Sequence, residues 1–127
     1  MLCREIGQVI AFPIPNLKSE TLLAALRAHL APGAIVHTDG WSGYAHVVDH
    51  FEHYHTDHVN GVYAVGIVHT NGIESFWGYL KRRLKTTGGI RIARLGLFLG
   101  EEAWRFNHRT QSLDERVEAL LKILVAE

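Results

Sequence analysis

Apolar and polar positions along the chain switch between a strand-like and a helix-like period. Residues Ile6 to Ile14 (IGQVIAFPI) read as a strand, closed by Pro13 and Pro15. Asn16 to Ser19 forms a turn, and Ser19 can cap a helix from Glu20 to about Leu30, whose Leu22, Leu23, Leu26 and Leu30 share one face. Pro32-Gly33 stops that helix, and Ala34 to Thr38 forms a second strand. Beyond an Asp39-Gly40 turn, Tyr44 to Phe51 reads as a short helix and Glu52 to Val59 as a strand. Asn60 to Val68 reads as a loop with extended character. The strongest helical pattern runs from Gly72 to about Leu84, with Ile73, Phe76, Trp77, Leu80 and Leu84 as its buried stripe. Thr86 to Gly89 breaks the chain, a long helix follows from about Ile92 to His108, and Ser112 to Val125 forms the last helix.

This order of strands and helices predicts an α/β layer fold. At 127 residues the chain has the size of one domain with a real core, and it carries no internal repeat or interdomain linker. Ligands in such folds gather beyond the carboxyl ends of strands, which is where the pattern puts Asp39.

Composition narrows the picture. A hydrophobic content of 47% and a charged content of 20% exclude a disordered chain. The net charge is zero, but its distribution is uneven. Lys81, Arg82, Arg83, Lys85, Arg91 and Arg94 lie between Trp77 and Arg94 with no acidic residue among them, a basic stretch suited to phosphates. The single Cys3 rules out an intramolecular disulfide and a cysteine-based zinc site. No apolar run has the length of a membrane span and the N-terminus lacks a signal-peptide pattern, so a cytoplasmic location with no membrane partner is expected.

Two carboxylates stand out for chemistry. Asp39 follows a strand, and Glu74 opens the basic helix. Glu74 and Lys81 are two turns apart and share a face, roughly 10 Å from one another at about 1.5 Å per residue. Such a pair suits Mg²⁺ or Mn²⁺ bound to a phosphodiester, with Asp39 and Glu74 as metal ligands. Each also has a plain structural use. Glu74 stands three residues after Asn71 and can close a capping box, and Asp-Gly is a common turn pair. A third carboxylate is required, and of the acidic residues before Asp39, Glu5 lies in the N-terminal segment and Glu20 at a helix start, neither well placed.

The chain has nine histidines, with His50, His53, His55 and His58 close together. They open an alternative, a histidine-based metallohydrolase, against surface or hydrogen-bonding roles. His69, just before the Glu74 helix, can orient Asn71 or a phosphate. In the penultimate helix, Leu95, Leu97, Leu99, Trp104 and Phe106 are expected in the core, while Asn107 and Arg109 are candidate contacts for a DNA backbone.

Three segments carry a family resemblance: HTDGWSGY from His37 to Tyr44, HTNGIESFW from His69 to Trp77 followed by Lys81-Arg82, and EEAWRFNHR from Glu101 to Arg109. In this order they resemble the DDE-type transposases of bacterial insertion sequences, the ISXO-type group, over nearly the whole chain. The resemblance implies an RNase H-like fold and Mg²⁺- or Mn²⁺-dependent cleavage and transfer of DNA strands at insertion-sequence ends. It implies catalytic roles for Asp39, Glu74 and Lys81, with Asn71 as the alternative to Glu74. DNA contacts would come from Lys81, Arg82, Arg83, Lys85, Arg91, Asn107 and Arg109. Family members carry their first Asp on an earlier strand. The expectation is therefore an incomplete RNase H-like fold, a single partial catalytic domain over 1–127 that lacks the first strands and ends in a helical segment. Alone it would be a remnant of little activity, in the bacterial cytoplasm with the nucleoid. The alternative is a non-catalytic DNA-binding or regulatory fragment that pairs with full-length transposase or with itself.

Overall fold

The computed structural model describes residues 1–55 and 71–126, with the Asn71 side chain excepted. The chain forms two compact units, Met1–Pro13 with Ser75–Glu127, and Ile14–Glu74.

In the Ile14–Glu74 unit, α1 (Ser19–His29) precedes β3 (Ile35–Thr38), a 3-10 segment (Ser42–Asp49) and β4 (Glu52–His55). Helix α1 starts at Ser19 itself, so Ser19 is not the cap. Asn16 does the local work, its Oδ1 accepting from the Lys18 amide at 3.0 Å and the Thr21 hydroxyl at 2.6 Å. The apolar period then buries Leu22 and Leu26 as expected, and α1 packs on the 3-10 segment. Val36, Val47 and Phe51 complete this core. Strands β3 and β4 are parallel, with Ile35 opposite Glu52 and Thr38 opposite His55, so their carboxyl ends open on the same side. The helix expected over 44–51 is a 3-10 segment that starts earlier. The remainder of the strand expected to reach Val59, and the loop expected over 60–68, lie outside the described residues.

In the other unit, β1 (Leu2–Cys3) and β2 (Gln8–Val9) form a short antiparallel hairpin. The long strand expected over 6–14 is reduced to these two residues. Ile6 and Ile10 stay exposed and Val9 alone of that run is buried at 1% exposure. Three helices follow: α2 (Asn71–Thr87), α3 (Leu95–Asn107) after a 3-10 turn at Ile92–Arg94, and α4 (Leu113–Val125). Helix α2 outruns its apolar pattern as far as Thr87, and in its last turn the Thr86 and Thr87 hydroxyls donate to the carbonyls of Arg82, Arg83 and Leu84. Helices α2 and α3 meet through aromatic edges, Phe76 against Phe106 at 5.2 Å and Tyr79 against Phe106 at 5.7 Å between ring centroids. Of the core expected in α3, Leu99 and Phe106 are buried, joined by Phe98, whereas Leu97 is exposed. Helix α4 buries no residue. The described sheets are thus two small pairs within a mixed α/β chain.

Candidate catalytic carboxylates and the basic helix

The segment from Thr38 to Tyr44 is a tightly determined turn. Asp39 leaves the carboxyl end of β3, and its Oδ1 accepts the Trp41 amide at 3.2 Å, the local hydrogen bond by which Asp favours turns. Gly40 has φ 77°, a left-handed conformation suited to glycine. Gly43 lies beneath the Trp41 ring, where a Cβ would fall 1.9 Å from a ring carbon, so any other residue would displace the ring. Trp41 in turn meets Tyr44 edge-on. Burial, followed by the Asp39 charge, pushes the Tyr44 hydroxyl above its usual pKa. The Asp39 carboxylate itself is exposed, fixed in position and open to a ligand.

Behind it, the buried Thr38 hydroxyl shares a 2.9 Å hydrogen bond with His53 Nε2 on β4. The same oxygen also accepts the Gly40 amide. Burial and then the neighbouring His55 hold His53 below the usual histidine pKa, which favours the neutral imidazole. His37 stacks on Tyr54 at 5.6 Å. These histidines of the β3–β4 pair are engaged in packing and hydrogen bonding. Among the described residues no group of three or more His, Cys, Asp or Glu gathers as metal ligands; His58 and His69 lie outside them.

Helix α2 carries Glu74 in its first turn and Lys81 two turns on, both exposed. Asp39 and Glu74 belong to the same compact unit, of which Glu74 is the last residue; Lys81 belongs to the other. Arg82, Lys85, Arg91 and Arg94 are exposed as well. The buried stripe differs from the expected one. Phe76 and Leu80 are buried, but Trp77 is 43% exposed. Tyr79 and Arg83 line the stripe instead, because both reach a partner on α3.

That partner, Glu102, is a residue the sequence reading missed. It is 1% exposed, accepts the Tyr79 hydroxyl at 2.5 Å, and binds Arg83 through Nε at 3.1 Å to both oxygens and through the terminal nitrogen at 3.0 Å. Burial pushes the Glu102 carboxyl up, but the Arg83 and Tyr79 hydrogen bonds and the Arg83 and Arg105 charges outweigh it and hold it low. Burial and the same carboxylate push Tyr79 up to about 12. The signal was available: Leu99, Glu102, Ala103 and Phe106 follow the i, i+3, i+4, i+7 spacing of one helix face.

Three expected DNA contacts therefore have partners inside the protein. Arg83 holds Glu102. Asn107 pairs with the Val9 backbone, its Oδ1 accepting the Val9 amide at 2.7 Å and its Nδ2 donating to the Val9 carbonyl at 2.9 Å. Arg109 donates to the Phe106 carbonyl at 2.8 Å and stacks 4.1 Å over the Phe106 ring. The capping box considered for Asn71 and Glu74 has a counterpart at Ser112 and Glu115 of α4, where both reciprocal bonds form.

The described residues contain no helix long and apolar enough to cross a membrane. No solved structure matches the chain. A protein of Haemophilus influenzae named an uncharacterized transposase-like protein is 35% identical over 102 residues, covering 80% of this chain and 82% of that one. Residues 1–107, from β1 to the end of α3, match the ISXO2-like transposase domain. That span holds the Asp39 turn, the basic helix and the Glu102 network, and the chain belongs to the ISXO2-like transposase family of insertion sequences.

Proposed function

We propose that this protein acts on DNA in transposition, in metal-dependent cleavage and joining of strands at insertion-sequence ends. Asp39 and Glu74 are its carboxylate ligands, and the exposed basic face of α2 is its contact with the DNA backbone. The carrying observation is the Asp39 turn. A carboxylate is held by its own Asx hydrogen bond, exposed, at the open carboxyl end of a parallel strand pair. Hard oxygen donors of this kind suit Mg²⁺ or Mn²⁺. The ion, when bound, supplies charge stabilisation at a phosphodiester and a stronger oxygen nucleophile. The protein's own part is to fix the carboxylates and to hold DNA through Lys81, Arg82, Lys85 and Arg91. Arg83, Asn107 and Arg109 hold the helices that present this face. Asn71 remains the alternative to Glu74. The parallel β3–β4 pair and the helix α1 that precedes it support an RNase H-like reading of this unit.

A strand-nicking assay on supercoiled DNA with Mg²⁺ or Mn²⁺ tests this. Asp39→Ala and Glu74→Ala should each abolish nicking while leaving DNA binding in place, and nicking that survives Asp39→Ala overturns the reading. A second reading is a DNA-binding or regulatory fragment that pairs with intact transposase or with itself. It is favoured by the exposed cations Lys81, Arg82 and Lys85 on α2, which can hold DNA without any metal ligand. Salt-dependent DNA binding without nicking, together with co-purification with an intact transposase, supports it.

A further inference from the structure

We infer that Trp77 is a base-stacking platform, so that the exposed face of α2 takes unpaired DNA rather than an intact duplex alone. This rests on the reading of α2 as a DNA contact and names the form of DNA it takes. Helix α2 has three aromatic side chains. Phe76 is fully buried, and Tyr79 is tied to Glu102. Trp77 is 43% exposed although the periodicity of the helix would permit its burial. A large indole is ordinarily well buried when its role is packing.

Its surroundings are those of a nucleic-acid site. Glu74 lies one turn before it, and Lys81, Arg82 and Lys85 follow one to two turns after, all exposed. Gly78 adds no side chain beside the indole. The Arg82 guanidinium covers that gap instead, 3.7 Å from where a Cβ would stand. The surface is therefore a half-exposed indole, tilted against the buried Phe76 ring at 5.2 Å between centroids, with exposed cations further along the same helix. A duplex keeps its base faces stacked inside and offers α2 only phosphates, which leaves the indole without a partner. An unpaired strand offers both a base face for Trp77 and phosphates for Lys81 and Arg82 about one helical turn, ~6 Å, further on. Strand ends opened during cleavage and joining provide such nucleotides.

Fluorescence anisotropy of the full chain with three probes tests this: a blunt duplex, the same duplex with a short single-stranded overhang, and a single strand. The wild type should prefer the overhang and the single strand. Trp77→Ala should weaken both by about tenfold, the size of one lost base stack, with a smaller loss on the blunt duplex. Trp77→Phe should recover most of it, and a thermal melt shows that each variant is folded. Lys81→Ala should weaken all three probes and reduce the salt slope by about one. Equal loss on all three probes, or no loss, in a folded Trp77→Ala overturns the stacking role and leaves the DNA reading standing. A wild type that binds none of the probes overturns both.

Discussion

Asn107 does with a side-chain amide what a neighbouring strand would do with a peptide group. Its two polar atoms meet both backbone groups of Val9, a residue almost without solvent contact. The hairpin β1–β2 has two residues per strand, so this side chain supplies a share of its edge bonding comparable to that of the ladder itself. Asn107→Ala strands a buried donor and a buried acceptor, and we expect a loss of about 2 kcal/mol, measured as a shift in urea midpoint at unchanged slope. DNA affinity of the folded variant should stay close to that of the wild type; a large loss there would return Asn107 to the DNA face. His53 makes a pH-dependent prediction at the same scale. Its pKa is depressed in the folded protein, so the stability it contributes is present above the ordinary histidine pKa, about 6.5, and is lost as pH falls through the lower folded value. Protonation puts a charge on a part-buried ring beside His55. Thermal melts between pH 7 and pH 5 should fall more steeply for the wild type than for His53→Gln.

At the scale of elements, the rotation of α2 about its own axis decides which residues meet solvent. The apolar positions of α2 allow Ile73, Phe76, Trp77, Leu80 and Leu84 to face inward together. The Glu102 network turns the helix so that Phe76, Tyr79, Leu80 and Arg83 face α3 instead, and Trp77 and Lys81 face out. Local pattern locates helices well here because burial of an amphipathic stripe drives them: α1, α2 and the α3 region lie close to their expected bounds. It fails on rotation, because a single buried carboxylate contributed by a different helix decides it. It fails also on the 6–14 run, where among the described residues only Gln8 and Val9 pair, with Cys3 and Leu2. The Asp39 turn was legible because Asp-Gly is a common turn pair, whereas the packing of Trp41 on Gly43 and Tyr44 was not. Glu102→Ala should cost about 2 kcal/mol from the stranded Tyr79 hydroxyl and the lost charge-assisted bonds. Glu102→Gln keeps a shape but not a charge, and its effect carries a pH signature. The Glu102 pKa is depressed, so its contribution is present above the ordinary carboxylate range and disappears as pH falls through the folded value. The stability gap between wild type and Glu102→Gln should therefore be full at pH 7 and narrow as pH falls below the ordinary carboxylate range. A gap that is independent of pH would show that the network acts through packing and not charge.

At the scale of the whole molecule, the family's domain and the physical core end at nearly the same place. The family match stops at residue 107, where α3 stops. Beyond it, α4 is held by local forces. Ser112 and Glu115 close its N-terminus, Glu118 and Lys122 pair along it at 2.9 Å, and none of its side chains is buried. Leu113, Val117, Leu120, Leu121 and Leu124 remain exposed on it, so the apolar period that makes α4 legible as a helix does not contribute to a core here. A helix of this length is marginal when its apolar face is not packed, and its cap carries a large part of what order it has. Ser112→Ala should cost about 1 kcal/mol of helix stability. That loss should be seen as faster amide exchange confined to residues 113–125, with the exchange of α2 and α3 unchanged. Removal of residues 113–127 should likewise leave the melting temperature of the rest within a few degrees, because no buried contact goes with them. A collapse of stability on that truncation would mean that α4 is packed in solution against a surface that it leaves open in this structure.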